Sequence, residues 1–460
     1  QFEIPGGLMR TNIPAFRLPE NVLDDEINMI LEMGVDLRLG EKITSMRELI
    51  AENFDAVFIG TGAPRGKDLT IPGREDSDRI HIGIDWLESV AFEHTKSIGQ
   101  KVLIIGVGNT AMDCCRTALR LGGNDVKVMA RKPRNYFKAS DWELEDAEEE
   151  QVQILVNHSP NKFVVEDSTL VGMQFDRLEY RYDSNGRLTP EIVGQEIVPC
   201  DDVILAIGQE NAFTWIERDI GIDFDEWGMP VIDKITHQST LPGVFFGGDA
   251  AFGPENIIWA VEHGHQSAIS IHRHCTEQNI EERLPVGMNL STTKMSIHEW
   301  SFSNDFDPSQ RRKMRHVDLQ ERFNELNIEV ELGFSSTEAE VEIERCLNCD
   351  IQTVFTAKLC IECDACIDVC PVRCLTMTDN TKEDDLRNKL TSPALNKDQA
   401  LFVSEELPQT GRVMVKDENL CVHCSLCAER CPTGAWDMKK STILIPYAKD
   451  EDSDQWQKAG

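Results

Sequence analysis

The pattern C-x2-C-x2-C-x3-C-P occurs twice in this chain, as CIECDACIDVCP from Cys360 and CVHCSLCAERCP from Cys421. No other feature limits the fold so tightly. Three cysteines at this spacing wrap three corners of a cubane cluster, and the fourth, before proline, ligates the other cluster of a two-cluster protein. The two runs therefore cross-pair. Cys360, Cys363, Cys366 and Cys431 are the expected ligands of one [4Fe–4S] cluster, and Cys421, Cys424, Cys427 and Cys370 of the other. Structural zinc sites use pairs of C-x2-C, not triplets closed by C-P. Such clusters carry electrons, so the rest of the chain has to supply their source or sink.

The remaining cysteines carry less pattern. Of 15 in all, Cys346 and Cys349 form another pair and Cys374 stands alone. A third cluster near Cys346 and Cys349 would need a further ligand, and the alternative is a buried pair beside the cluster domain. Cys114 and Cys115 read as packing residues on a helix, while Cys200 and Cys275 show no pattern. Cysteines gathered in one block at metal-ligand spacing, rather than spread as a disulfide framework, point to a reducing, cytoplasmic setting.

The 80 acidic against 46 basic residues give a formal net charge of -34. That excludes a nucleic-acid binder, which needs Lys and Arg to displace counterions. It suits solubility, or docking on a basic partner. Glu362, Asp364 and Asp368, beside the cluster ligands, are candidates for such a docking face or for ordinary solvated surface. No apolar run is long enough to span a bilayer.

Upstream of the cysteines, apolar strands alternate with helical stretches, which predicts α/β domains on parallel sheets. LPENVLDDEINMILEMGV reads as a helix, FDAVFIGTGAPRG as a buried strand ending in a glycine turn, and WELEDAEEEQVQIL as an acidic helix running into a strand. Residues 163–200 read as short strands with a turn at SNG, and about 378–415 as a surface loop between the cysteine motifs. The segment KVLIIGVGNTAMDCCRTALRLGG is a strand, a glycine turn and a helix. Gly106 permits the tight turn, Gly108 lets a pyrophosphate approach the backbone, and the small Ala111 lets helix and strand pack closely. The free N–H groups at the helix start, around Asn109 and Thr110, would take the phosphates. After the next strand stand Arg131 and Lys132, with Arg134 close by, where an NAD-selective site would place an acid. Cations there suit a 2′-phosphate and favour NADP(H) over NAD(H).

A second site rests on Gly248 and Asp249 in GGDA, followed by Pro254, Glu255 and Asn256 at a helix start. An Asp after a buried strand, with a helix N-terminus beyond it, can bind the ribityl or phosphate end of a flavin. In HGHQSAISIHRHC, His263 and His265 are two apart, as are His272 and His274, so neither pair shares a helix face and a metal site is not expected.

GGLMRTNIPAFRLP, FDAVFIGTGAPRG, VLIIGVGNTAMDCCRTALRLG, ILAIGQ and GVFFGGDAAFGP occur in this order. Together they resemble the small (β) subunit of glutamate synthase and its flavin-dependent NAD(P)H oxidoreductase relatives, over about residues 1–275. The cysteine block resembles a bacterial two-cluster ferredoxin. The resemblance implies two nested dinucleotide-binding (Rossmann-like) domains followed by an α+β ferredoxin-like domain. The expected divisions are 1–85 and 203–280 for the FAD-binding domain, 86–202 for the inserted NAD(P)-binding domain, 281–345 for a connector, 346–447 for the two-cluster domain and 448–460 for an acidic tail. It places Gly6, Gly7 and Arg10 near the flavin, Thr61 and Gly62 at the crossing between domains, and Gly208 and Gln209 at the return. The family opens with a strand and a G-x-G-x-x-G that binds the FAD pyrophosphate. No such motif precedes Gly6, and the sequence reads as starting after that strand.

The function so implied is electron transfer between NAD(P)H, FAD, two [4Fe–4S] clusters and a partner, with no catalytic acid, base or nucleophile on the chain. The partner would be a 2-oxoacid:ferredoxin-type oxidoreductase, or alternatively a reductase of the glutamate synthase or sulfite reductase kind. A non-catalytic redox sensor or scaffold is the reading from another class, and the intact glycine turns argue against it.

Overall fold

The strand Lys101–Ile105, KVLII, buries all but its first residue, which only a sheet covered on both faces allows. In the computed structural model of the chain it is the middle strand of a five-stranded sheet. The structure describes residues 2–182, 188–283, 287–290, 310–343, 345, 351–394, 396–397 and 399–444. They fall into two compact units, Gln1–Glu281 with Met314–Gly333, and Glu282–Lys313 with Phe334–Gly460. Among the described residues no helix is long and apolar enough to cross a membrane.

In the first unit the strand order is Ile80–Ile82, Asp202–Leu205, Lys101–Ile105, Asp125–Met129, Gln153–Leu155, with every pairing parallel. Side chains alternate across the sheet. Val102 and Ile104 face a layer built from the helices Gly83–Ala91, Asn109–Arg120 and Asp141–Glu149, in which Cys114 and Cys115 are fully buried packing residues. Leu103 and Ile105 face the opposite way, onto Phe163, Met173 and Phe175. Those residues come from a three-stranded antiparallel meander, His158–Glu166, Thr169–Tyr182 and Leu188–Pro199. Its strands are 9, 14 and 12 residues long, where short ones were expected. The outermost is exposed along most of its length, so its polar residues mask the strand signal. The SNG turn lies outside the described residues.

This sheet is inserted into a second, smaller one. Val57–Ile59 pairs in parallel with Val244–Phe246, and Ile59, Val244 and Phe246 pack with Phe213, Ile216 and Ile222. The chain crosses between the two through a short antiparallel pair, Arg65–Gly66 with Gln209–Glu210. One Rossmann-like fold is thus nested within another. The expected early helix is present as Glu20–Leu31.

The second unit is α+β. Leu375–Thr378, Val413–Lys416 and Phe402–Val403 form one antiparallel sheet, and Trp436–Leu444 pairs with Ile351–Phe355 in another. The stretch between the cysteine motifs is more than a surface loop. It carries the helix Glu383–Arg387, and Leu386 and Leu401 pack on Val413 and Val415 in a small core of their own. The segment expected as one connector is divided, with Met314–Gly333 belonging to the first unit.

Charge pairs fasten that returning segment, beside the packing of Leu326 and the Val330 N–H bond to the Phe16 carbonyl at 3.1 Å. Glu150, with a side chain fully buried, accepts from Arg116 at 3.0 Å and from Arg120 at 2.7 and 2.9 Å. Arg322, from the returning segment, reaches Glu149 at 3.2 Å, and His316 reaches the same carboxylate at 3.1 Å. On the other side Arg17 binds Asp113 at 2.6 Å and pairs with Glu143, while Phe16 lies under the Arg120 guanidinium, 3.9 Å from its ring centre. Burial alone would raise the Glu150 carboxyl, but hydrogen bonds and charges from Arg120 and Arg116 outweigh it and hold it below its ordinary value. Asp113 and Glu143 are shifted the other way, by burial.

Replacing Glu150 by Gln leaves two guanidiniums short of their counter-charge and is expected to cost about 3 kcal/mol or more. A depressed folded-state carboxyl contributes stability that is complete above its unfolded value and fades as pH falls through the lower folded one. The first thermal transition of the wild type should therefore fall on acidification below about pH 4.5 more steeply than that of Glu150→Gln. Equal pH slopes in scanning calorimetry would contradict this assignment.

Candidate functional site

The glycine turn is built by a close backbone approach. Gly106 has φ +130°, and a Cβ there would stand 2.1 Å from the Ala206 carbonyl oxygen, on the neighbouring strand's continuation. Only glycine fits. A Cβ at Gly108 would meet nothing within 4 Å, so the turn is open at the helix start. Gly108 caps Asn109–Arg120, and the first-turn amides of a helix have no intrahelical acceptor. Asn109 turns its side chain to the Ser140 N–H at 3.0 Å, Thr110 is half-buried, and Ala111 is packed in the core.

Beyond the strand Asp125–Met129 the three cations separate. Arg134 is paired with Glu148. Arg131 and Lys132 are exposed; the Arg131 carbonyl accepts from the Tyr180 hydroxyl at 2.8 Å, and the Lys132 ammonium lies 5.7 Å from the Tyr136 ring centre.

Of the residues expected near a flavin, Thr61, Gly62, Gly248 and Asp249 follow the two strands of the smaller sheet, whereas Gly6, Gly7 and Arg10 lie beside the helices Glu20–Leu31 and Gly83–Ala91. Gly248, at φ +59°, precedes the short helix Asp249–Phe252, and the Asp249 carboxylate accepts the Glu255 N–H at 3.1 Å. Burial pushes this carboxyl up. Pro254, Glu255 and Asn256 are exposed, and Asn256 caps the helix Ile257–Cys275 by accepting the Trp259 N–H at 3.0 Å. Thr61 is exposed and Gly62 takes φ +67°. Gly208, at φ +118°, accepts the Lys67 N–H at 3.0 Å, and Gln209 pairs with Gly66. Gly6 and Gly7 both have positive φ, and a Cβ at Gly6 would strike Leu23 at 2.9 Å. Arg10 is held internally, by the Pro5 carbonyl at 2.7 Å and by Asp24, so its charge is already paired. Sequence reasoning missed Asn211. In the amide orientation that satisfies both its ends, it donates to the Gly62 and Asp249 carbonyls at 2.9 and 3.2 Å, tying the two turns together. His263 packs against Phe252 and His237 in an aromatic cluster.

In the second unit Cys360, Cys363, Cys366 and Cys431 line one cavity, with Phe355, Ala435 and Trp436 on its wall. Backbone N–H groups point at the sulfurs, from Glu362 to Cys360 at 3.4 Å and from Ala435 to Cys431 at 3.2 Å. Of the other expected set, Cys370, Cys421 and Cys427 border the core of this unit and Cys424 is half-buried. Cys374 joins this set, with Sγ 3.6 Å from that of Cys370. The neighbouring Cys374 holds the Cys370 and Cys421 thiols below their ordinary range. Both ligand loops turn left-handed at matching places, Glu362 and Asp364 in one, His423 and Ser425 in the other, with φ between 53° and 63°. Glu362 is no free docking acid. The Thr410 hydroxyl, the Gln409 and Thr410 N–H groups and Arg412 occupy its carboxylate and hold its carboxyl low. Asp364 and Asp368 are exposed. Cys346 and Cys349 lie outside the described residues.

Residues 12–264, more than half of the chain, match the family described as pyridine nucleotide-disulphide oxidoreductase, and residues 359–435 match the 4Fe-4S dicluster domain. Among curated proteins the chain is 33% identical over 382 residues to the NADPH-Fe(3+) oxidoreductase subunit beta of Geobacter sulfurreducens, covering 75% of this chain and 56% of that protein. It is 32% identical over 366 residues to the NADP(+)-dependent formate dehydrogenase subunit beta of Moorella thermoacetica, covering 75% and 50%. It is 34% identical over 285 residues to the glutamate synthase [NADPH] small chain of Halomonas elongata, covering 58% and 60%. The chain thus spans about half the length of the first two of these relatives. FprA of Mycobacterium tuberculosis, solved in complex with NADPH, shares the fold with a TM-score of 0.50 at 16% identity, over 60% of this chain and 76% of that one. The chain belongs to the pyridine nucleotide-disulphide oxidoreductase family, in the group resembling the glutamate synthase small chain, and carries a 4Fe-4S dicluster domain after it.

Proposed function

We propose that this chain is an electron-transfer subunit that exchanges electrons between NADPH, FAD and two [4Fe–4S] clusters, and passes them to or from a partner protein. One observation carries the reading. A single chain joins a nucleotide-binding glycine turn to two cysteine sets, the first of which lines one cavity. The residues fit the groups. The opening at Gly108 and the amides of Asn109, Thr110 and Ala111 accommodate a pyrophosphate at the helix start. Arg131 and Lys132, exposed where Arg134 is committed to Glu148, hold the 2′-phosphate. Asp249, backed by Asn211 and followed by Asn256, meets the flavin's hydroxyls. The two crossed cysteine sets hold the iron. A bound flavin supplies the conversion between two-electron and one-electron transfer. The protein's part is to hold these groups and to leave the 2′-phosphate pocket charged. Thiolates kept available for iron fit a cytosolic setting.

The direction of flow distinguishes two partners. The relative named as an NADPH-Fe(3+) oxidoreductase subunit favours electrons leaving NADPH for an acceptor. The relative named as an NADP(+)-dependent formate dehydrogenase subunit favours electrons arriving from a strong reductant, the role a 2-oxoacid:ferredoxin-type partner would fill. Anaerobic titration with NADPH, followed by flavin bleaching and low-temperature EPR, separates them. Bleaching with reduced cluster signals supports the outward direction. Bleaching with oxidised clusters supports the inward one. No change in a protein that holds both cofactors defeats the electron-transfer reading.

Three variants test the assignments. Arg131→Ala with Lys132→Ala is expected to raise the NADPH KM about tenfold or more while leaving the NADH KM nearly unchanged, since charge-assisted hydrogen bonds contribute about 1.5–3 kcal/mol each. Steady-state kinetics with both nucleotides checks this, and an equal rise in both would remove the 2′-phosphate role. Cys363→Ser and Cys424→Ser are each expected to lose about half of the bound iron, because each breaks one set of four. Iron analysis that shows no loss in either would contradict the assignment of iron to these two cysteine sets.

A further inference from the structure

The two halves of the cysteine unit repeat one another position by position. Five residues before the first cysteine of each motif stand Phe355 and Lys416, and four residues after each C-P cysteine stand Ala435 and Cys374. The hydrogen bonds repeat as well. The Thr356 N–H donates to the Ala435 carbonyl at 2.7 Å, and the Asp417 N–H to the Cys374 carbonyl at 3.0 Å. So do the strand registers, Phe355 opposite Trp436 and Lys416 opposite Leu375. Matching places therefore hold unlike residues. Around Cys360, Cys363, Cys366 and Cys431 these places hold Phe355, Ala435 and Trp436, none of them charged, and the charged residue on that wall is Asp364 of the ligand loop. Around Cys421, Cys424, Cys427 and Cys370 the same places hold an ammonium and a thiol.

The ammonium is deeply buried. Lys416 is 1% exposed, its Nζ donates to Thr353 Oγ1, and Glu418 Oε2 lies 2.8 Å away. Cys374 is 5% exposed and stands beside Cys370. The Asp417 carbonyl accepts the Cys421 N–H at 3.2 Å, so the strand carrying Lys416 runs directly into the ligand loop. Reducing a cluster adds a negative charge. A cation out of water stabilises that state far more than one in water, and net charge and hydrogen bonds to sulfur are the protein's levers on cluster potential. Asp417 and Glu418 oppose the cation, but Lys416 stands at the place that Phe355 holds on the wall of the other cysteine set's cavity.

We propose that Lys416, seconded by the Cys374 thiol, makes the cluster on Cys421, Cys424, Cys427 and Cys370 the higher-potential member of the pair, so that an electron entering the unit settles there. This rests on the reading that both cysteine sets hold [4Fe–4S] clusters.

The test is an EPR-monitored redox titration of the full chain, purified anaerobically with its iron. Lys416→Met should lower the upper of the two cluster midpoints by at least a tenfold change in the one-electron equilibrium, about 59 mV, and leave the lower midpoint in place. Lys416→Arg, which keeps the charge, should restore it. Cys374→Ala should lower the same midpoint, and Glu418→Gln should raise it. With two clusters established by iron and sulfide analysis, an unmoved upper midpoint, or a shift confined to the lower one, overturns this assignment alone. Wild-type protein that holds no clusters overturns the cysteine reading and this assignment with it. Should Lys416→Met lose its clusters, Glu418→Gln decides, and an upper midpoint that fails to rise is then the contrary result.

Discussion

The architecture of the first unit depends on the charge cluster between the helices Asn109–Arg120 and Asp141–Glu149. Glu150 and its two arginines are out of water, so each charge there is tolerable only while the others are present. Arg17 comes from the opening segment and Arg322 from beyond residue 310, yet both end on the carboxylates of these two helices. Distant parts of the chain are thereby fastened to one face of the inserted domain. The opposite face is closed by the apolar meander. The glycine turn lies at the start of Asn109–Arg120, the same helix that carries Arg116 and Arg120, so the nucleotide turn and the charge cluster are held by one rigid element. A buried ion cluster of this kind is weak evidence for stability compared with an apolar core, but it is demanding about geometry, which is what a site built on backbone amides needs.

Much of this was legible beforehand because the signals were local. KVLII followed by G-x-G-x-x-A states a strand, a turn and a helix within a few residues, and the contact of Gly106 with Ala206 explains the glycine. The cysteine spacing states its own ligand sets. What was not legible depends on partners far apart in sequence. Nothing around Glu150 announces Arg322, and nothing around Glu362 announces Thr410 and Arg412, which turn an apparent surface acid into an internal tie. Asn211 likewise gains meaning only when the Gly62 and Asp249 turns meet. The insertion between the cysteine motifs was misjudged for a related reason: its apolar residues Leu386 and Leu401 are sparse, and their core is completed by Val413 and Val415 on a strand of the ferredoxin-like fold.

The left-handed residues of the ligand loops show how sequence and function were balanced. Glycine is the residue for which φ near +60° costs nothing, and an L side chain there costs roughly 1–2 kcal/mol. Here Glu362, Asp364, His423 and Ser425 occupy these places instead. At two of them the side chain returns something for the strain. Glu362 gathers the 409–412 loop, and the Ser425 hydroxyl, 1% exposed, donates to Glu429 at 3.3 Å within the short helix that carries Cys427. Turning the backbone left-handed directs successive N–H groups to one side, as the Glu362 N–H on Cys360 shows. The strain thus aims donors at sulfur while the side chains brace the loop from outside. The same left-handed turns recur in both loops, while the strands behind them differ, with Phe355 in one and Lys416 at the equivalent place in the other.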